Sequence, residues 1–135
     1  MTQIASLLFA ASTAFSTSLS ASLGGEFDTE ILWTLQSIDG EAFDERATLY
    51  FPAPAQIAGA TPCNSYFGVQ TTPAPGFNAS GVGVTQRLCP AFGKEAEFLT
   101  ALRAMTSSEF RGNTLILRDN TGREMIFVGV PMKRN

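Results

Sequence analysis

Alternating apolar and polar residues dominate this chain and predict a series of short β-strands. The first clear alternation starts at Trp33 and stops at Asp39-Gly40, a pair typical of a tight turn. Later runs are separated by Gly112-Asn113 and by residues 119–122, which contain residues that tolerate the positive φ of hairpin turns. The predicted strands are 31–38, 47–51, 56–60, 64–70, 81–86, 108–111, 114–118 and 124–128.

Residues 90–105 have helical periodicity instead. Phe92, Leu99 and Leu102 recur at a spacing that places them on one helix face. Pro90 suits the first helical position, because its missing N–H would have no partner there anyway. Many strands and a single helix predict an α+β domain, with a strongly curved, barrel-like antiparallel sheet and one α-helix.

The N-terminal residues are predicted to be an export signal. Residues 4–11 are almost entirely apolar, a length that fits a secretory signal and is too short to span a bilayer. A small residue, Ser22, makes cleavage before Leu23 plausible. The predicted organisation is a signal peptide at 1–22, a linker at 23–30 and one domain at 31–135.

The same N-terminal segment has an alternative interpretation as a helix of the mature domain. Ile4, Leu8, Ala11 and Phe15 recur at three- and four-residue spacing, which would line one helix face. The export hypothesis instead predicts a periplasmic or secreted protein with no transmembrane span in the mature chain. Since this segment contains no cysteine, we do not expect a lipoprotein.

Composition excludes several classes of function. The chain of 135 residues contains no histidine, which removes the commonest general base and a common zinc ligand. Its net charge of −3 lacks the basic character of a nucleic-acid binder. We therefore expect no metal, no cofactor and no nucleic-acid partner.

Cys63 and Cys89 are the only thiols of the chain. In an exported protein an even number of cysteines favours a disulfide. The alternative is a reactive thiol at Cys89, because the N-terminal end of a helix stabilises a thiolate. That alternative lacks a histidine to act as its base.

Five segments in order resemble the META domain family, which includes the heat-shock protein HslJ. They are a W-x-L strand, a G-x-x-x-C-N-x-Y-x-G segment, a T-x-x-x-C segment, an E-x-x-F-x-x-x-L helix and a closing L-x-L…G…F hairpin. Thr61-Pro62 departs from the family pattern, which often has glycine before the first cysteine. The motif residues are Trp33, Gly59, Asn64, Tyr66, Gly68 and Thr85, together with Cys63 and Cys89.

This resemblance implies a compact antiparallel sheet around one helix, and a disulfide between Cys63 and Cys89. It also implies a bacterial envelope protein linked to stress response or motility, without an established catalytic activity. We interpret the polar motif residues as structural. Asn64 is expected to bond its own backbone at the turn after Cys63, and Tyr66 to bury its ring while its hydroxyl finds a partner.

The chain is rich in phenylalanine, and the strand and helix predictions divide these residues into two groups. Phenylalanines within predicted elements are expected in the core, and those in or beside loops are candidates for an exposed apolar patch. The first group is Phe51, Phe67, Phe98, Phe110 and Phe127, and the second is Phe43, Phe77 and Phe92.

The leading functional hypothesis is a non-enzymatic, exported scaffold or interaction module that contacts other envelope proteins. A second hypothesis is a carrier that encloses a small apolar ligand within the curved sheet. A third is a thiol enzyme at Cys89. The carrier predicts an apolar cavity under the helix, whereas the interaction module predicts a filled core with an exposed patch.

Overall fold

The computed structural model describes residues 27–132, so the predicted signal peptide and the first half of the predicted linker, residues 23–26, lie outside the described residues. Nine strands and one helix occur within that range. They are β1 (Ile31–Ile38), β2 (Glu41–Ala42), β3 (Thr48–Leu49), β4 (Gln56–Ala60), β5 (Ser65–Val69), β6 (Ser80–Val84), α1 (Phe92–Ala104), β7 (Ser107–Arg111), β8 (Thr114–Arg118) and β9 (Glu124–Pro131).

The strands form two antiparallel sheets. The larger has the order β2-β1-β9-β8-β7 with β3 also pairing to β1, and the smaller has the order β4-β5-β6. This confirms an α+β domain of antiparallel sheets with one helix in the described chain. The predicted barrel-like curvature is not supported, because neither sheet is closed or strongly curled.

The connection between β3 and β4 explains why the strands do not form one continuous sheet. Outside the named strands, only the bridge between Tyr50 and Ala58 pairs this connection with β4. Pro52 and Pro54 follow directly and have no N–H to donate to a ladder. The predicted strand 47–51 is correspondingly reduced to the two residues of β3.

Several predicted boundaries are confirmed and others move for local reasons. β1, β4 and β8 have the predicted limits, whereas β9 continues to Pro131 because it pairs along β1 as far as Ile31. The helix starts at Phe92 rather than Pro90, since the N–H of Phe92 bonds to the carbonyl of Cys89 in a preceding turn, 3.1 Å away. The two-residue strand β2 was not predicted.

The core lies between helix α1 and the sheets. The helix buries Phe98, Leu99, Ala101 and Leu102. The Phe98 ring packs 5.6 Å from that of Tyr66 and 6.4 Å from that of Phe43, measured between centroids. Side chains therefore fill the space beneath the helix, where the carrier hypothesis required a cavity.

The phenylalanine predictions are right for three core positions and wrong for two. Phe51, Phe98 and Phe127 are buried, but Phe67 is 61% exposed and Phe110 is 40% exposed. Strand alternation in β5 sends Tyr66 and Gly68 inward, so Phe67 faces outward.

The loop phenylalanines also differ from one another. Phe43 and Phe77 are buried, whereas Phe92 is 59% exposed. Phe77 is drawn inward because its N–H bonds to the carbonyl of Thr106, which holds its loop along β7. Among the three, only Phe92 contributes to an exposed apolar surface.

The turn between β1 and β2 is tied to β9 by a carboxylate. Asp39 adopts a φ of 52°, in the left-handed region. Its Oδ1 accepts a hydrogen bond from the Glu124 N–H at 2.9 Å, and its Oδ2 accepts one from Arg123 Nε at 3.0 Å. The bond from the Glu124 backbone, and then that from Arg123, lower the pKa of Asp39.

This pKa predicts a specific acid sensitivity. A carboxyl with a lower pKa in the folded state stabilises the fold above its unfolded pKa of about 3.9, and loses that contribution as the pH falls through the folded value. Asp39→Asn is expected to be less stable at neutral pH and to lose less stability on acidification. The measurement is urea unfolding between pH 7 and pH 2.

The matched control for this prediction is Asp44→Asn. Asp44 accepts no hydrogen bond from the described backbone and lies 3.8 Å from Lys94 Nζ at the surface. We expect Asp44→Asn to follow the wild-type stability curve. Identical curves for Asp39→Asn and wild type would contradict the assigned role of Asp39.

Candidate functional site

Two motif residues meet at a close contact between β3 and β4. A Cβ added to Gly59 would collide with the carbonyl oxygen of Thr48 and lie 2.8 Å from the Tyr66 hydroxyl. The Tyr66 hydroxyl donates to the Thr48 carbonyl at 2.6 Å, and the Thr48 hydroxyl accepts from the Ala60 N–H at 2.9 Å. Burial raises the pKa of Tyr66 well above its ordinary value. This contact fixes the turn end of the β4–β5 hairpin against β3.

A methyl group at Gly59 is therefore expected to destabilise the protein. Gly59→Ala forces apart the β3 and β4 backbones and should lower the free energy of unfolding by roughly 1–3 kcal/mol. Gly93→Ala is the control, because its Cβ would meet nothing within 4 Å and alanine favours a helix. Chemical denaturation measures both. Equal stability of the two variants would contradict the close contact.

The Asn64 side chain connects the β4–β5 turn to the segment between β6 and the helix. Its Oδ1 accepts from the Thr85 hydroxyl at 2.8 Å and from the Arg87 N–H at 2.7 Å. Its Nδ2 donates to the Arg87 carbonyl at 2.9 Å and to Glu95 Oε1 at 3.1 Å. Asn64 thus joins three separate parts of the chain.

The expected role of Asn64 within its own turn belongs instead to Thr61. The Thr61 hydroxyl accepts from the N–H of Cys63 at 3.1 Å and from that of Asn64 at 2.6 Å. It also contacts the Glu95 carboxylate. Thr61, two positions before Cys63, is therefore a structural element of the site.

Sequence reasoning did not assign a site role to Thr61, Arg87 or Glu95. Glu95 matches the helix motif, but the helical spacing of the residues does not show what its side chain contacts. In the structure its carboxylate accepts hydrogen bonds from the Asn64 amide and the Thr61 hydroxyl. The available signals were a hydroxyl side chain at Thr61, two positions before Cys63, and the position of Glu95 in the first turn of the helix.

The two cysteines are joined, with 5.7 Å between their Cα atoms. Cys63 lies in the β4–β5 turn and Cys89 precedes helix α1 by three positions. The disulfide and the Asn64 bonds therefore anchor the segment 85–89 at both ends. Since both sulfurs are bonded, the structure contains no free thiol at Cys89.

An open groove of about 670 Å³ lies between the segment after β6 and helix α1. Leu88 is 88% exposed and Phe92 is 59% exposed, and both line it. Arg87 and Arg103 also line the groove, and neither has a carboxylate partner among residues 27–132. The full lining is Asn64, Val84, Thr85, Gln86, Arg87, Leu88, Phe92, Glu95, Ala96, Leu99, Thr100 and Arg103.

The motif residues are divided between this groove and the interior. Asn64 and Thr85 line the groove, while Gly59 and Tyr66 form the contact at Thr48. Trp33 is buried on β1, and its Nε1 has no hydrogen-bond partner within the described chain. Gly68 lies in β5, where a Cβ would be 3.0 Å from the Ser80 carbonyl oxygen.

Residues 27–132 contain neither a cluster of metal-binding side chains nor a helix that could span a membrane. No group of three or more histidine, cysteine, aspartate or glutamate side chains there is arranged to hold a metal ion. No helix within 27–132 is long and apolar enough to cross a membrane. For binding, the groove offers apolar side chains (Leu88 and Phe92), guanidinium groups (Arg87 and Arg103) and the side-chain amide of Gln86.

The fold and the site define a small α+β domain whose single described helix is tied by a disulfide and an asparagine to a β-hairpin turn. The chain belongs to the META domain family, whose sequence pattern matches residues 28–131. This confirms the resemblance found in the five sequence segments. No curated protein matches the chain.

Solved structures share the fold at low sequence identity. A protein from Burkholderia xenovorans, solved by NMR, is 20% identical, with a TM-score of 0.64 over 89% of this chain and 95% of that one. A DUF4847 family protein from Bacteroides vulgatus, solved by crystallography, is 14% identical, with a TM-score of 0.60 over 78% of this chain and 96% of that one. These likenesses concern the fold alone.

Proposed function

We propose that this protein is an exported, non-enzymatic interaction module of the bacterial cell envelope, linked to stress response or motility. It binds a partner protein in the groove between the segment after β6 and helix α1. The observation that carries this proposal is an open groove with exposed Leu88 and Phe92, set over a filled core and braced by the Cys63–Cys89 disulfide.

The disulfide supports export. Structural disulfides persist in oxidising compartments and are rare in the reducing cytosol. The apolar segment 4–11 supplies a plausible route across the membrane. Both features are accounted for by a protein that acts outside the cytoplasm.

The exposed side chains support an interaction role. An exposed leucine and an exposed phenylalanine in one groove, Leu88 and Phe92, provide anchors of the kind that protein interfaces bury. Because the groove connects with solvent, an apolar small molecule lying in it would stay partly wetted. We therefore place the interaction module ahead of the carrier.

A small-ligand carrier is retained as a second candidate, favoured by the groove volume of about 670 Å³. That volume lies within the range of small-molecule sites, ~300–1,000 Å³. Native mass spectrometry of the gently purified protein distinguishes the two candidates. A retained small molecule would favour the carrier, and a bare chain favours the interaction module.

The export part is tested by the mass and thiol content of the protein produced in a bacterial host. We expect a mature chain starting at Leu23 in the periplasmic fraction, with no titratable thiol. Leu8→Arg interrupts the apolar run and should leave an unprocessed, reduced chain in the cytoplasm. An unprocessed wild-type chain with two free thiols would overturn export.

The binding part is tested by a photo-crosslinking amino acid placed at Leu88 in cells. We expect a discrete adduct with an envelope protein, and none from a crosslinker at Thr121, an exposed turn residue outside the groove. Adducts of equal yield from both positions, or none from Leu88, would overturn the groove as the binding surface.

A further inference from the structure

The groove runs along a strand edge that the described chain leaves unpaired. β6 is the last strand of the three-stranded sheet and pairs only with β5 among the described strands. Its C-terminal residue Val84 and the following segment form one wall of the groove, and helix α1 forms the other. A strand edge facing a helix across an open groove is an arrangement that accepts an extended peptide as an additional strand.

The backbone on this wall alternates in the manner that strand addition requires. The Thr85 N–H bonds to the Ser65 carbonyl at 3.0 Å, and the Arg87 N–H bonds to Asn64 Oδ1 at 2.7 Å. Both groups therefore point back toward the β4–β5 hairpin. Since successive residues of an extended chain point to opposite sides, Val84 and Gln86 direct their N–H and C=O groups away from it.

The β6 edge lacks two of the features that normally prevent strand addition, and its register shift against β5, with Gly81 at a φ of 57°, lies at the end away from the groove. The sequence Ser80–Val84 contains no charged residue and no proline. The last strand of the other sheet differs in this respect. β7 is bridged by Gly76 at Ser107, and it carries the Glu109–Arg111 ion pair, 2.6 Å between Oε2 and Nε.

The charges of the groove specify the chemistry of the added strand. Arg87 and Arg103 lie in its lining without carboxylate partners in the described chain. The Glu95 carboxylate is already engaged by the Asn64 amide and the Thr61 hydroxyl. A complementary ligand therefore presents carboxylates to the two guanidinium groups and an apolar side chain to Leu88 and Phe92.

We infer that the groove binds an extended acidic segment of a partner protein as an additional strand on the edge of β6. This inference deepens the proposed function and rests on it. Backbone hydrogen bonds from Val84 and Gln86 hold the segment, Leu88 and Phe92 contact its apolar side chains, and Arg87 and Arg103 pair with its carboxylates. Alternate side chains of the bound strand carry the specificity.

The probe is a phage-displayed library of random twelve-residue peptides, selected on the oxidised protein as it is purified from the bacterial host. We expect enriched peptides that alternate apolar and acidic residues. A proline at a central position removes a backbone donor and should weaken the synthesised peptide roughly tenfold. On binding, the amides of Val84 and Gln86 should gain protection from hydrogen exchange.

The matched variants separate charge recognition from a general loss of charge. R87Q together with R103Q should weaken binding of the enriched peptides roughly tenfold, since two solvent-exposed ion pairs with the peptide are lost. Arg46→Gln changes another exposed arginine, which lies outside the groove, and should leave affinity unchanged. Thermal melting checks that every variant remains folded.

Several outcomes would overturn strand addition. They are no enriched peptide, affinity that is indifferent to R87Q/R103Q or to the proline, and protection absent from Val84 and Gln86. Binding of laurate in the absence of any peptide ligand would overturn it as well and favour the carrier. A specific crosslink from Leu88 combined with a failed selection would leave the proposed function standing and remove only this mode of binding.

Discussion

Replacing both cysteines, as Cys63→Ala with Cys89→Ala, is expected to lower the free energy of unfolding by roughly 3–4 kcal/mol. The bond closes a loop spanning 26 positions of sequence, so its loss restores conformational freedom mainly to the unfolded chain. For a domain of this size the melting temperature should fall by roughly 10 °C. Thermal and urea unfolding measure the change.

Reduction provides the control for the cysteine variant. Wild-type protein treated with a phosphine reductant should melt near the double variant, and the same reductant should leave the double variant unchanged. The segment 85–89 would then be held mainly through the Asn64 bonds to Arg87 and Thr85. A wild-type melting temperature that is insensitive to reduction would contradict the stabilising role of the disulfide.

Truncating Phe98 to alanine is expected to destabilise the protein by roughly 3–5 kcal/mol. The ring is fully buried and packs between Tyr66 and Phe43, so its removal leaves a cavity that a well-packed core cannot readily fill. The ring attaches the helix to β5 through Tyr66 and to the loop after β2 through Phe43, so its loss weakens both contacts. Urea unfolding monitored by Trp33 fluorescence gives the free energy.

Phe92→Ala makes the same chemical change six positions earlier in the same helix. Phe92 is 59% exposed, so we expect a loss of about 0.5 kcal/mol or less. The comparison separates the effect of burial from the removal of a phenyl ring, which both substitutions share. A similar loss of stability in both variants would show that Phe98 does not hold the helix in the core.

The limits of β1, β4 and β8 could be predicted because their alternation and turn residues are local signals. Asp39-Gly40 illustrates the point, since both residues adopt positive φ at the predicted turn. Phe67 shows the limit of local signals. Its neighbours Tyr66 and Gly68 take the inward positions of β5, and a phenylalanine on the outward face looks the same in sequence as one in the core.

In the candidate site, too, the sequence indicated which positions belong to the motif but did not indicate their distant contacts. Cys63, Cys89, Asn64 and Thr85 were identified as motif positions from their order and spacing. The bonds of Asn64 to Arg87 and Glu95 span 23 and 31 positions, so they depend on how the hairpin and helix pack. Sequence spacing does not report such contacts, and Asn64 was consequently assigned to its own turn.

The sequence by itself determined the class of the domain, its helix and the family to which it belongs. Periodicity and motif order are visible in the residues alone, whatever the packing of the chain. Only the tertiary structure decided that the described strands form two sheets and that Leu88 and Phe92 lie near an edge of β6 with which no described strand pairs. It also decided that Thr61 and Glu95 join the Asn64 cluster. These features arise where distant segments meet. Their geometry depends on the packing of the whole chain, which no local pattern encodes.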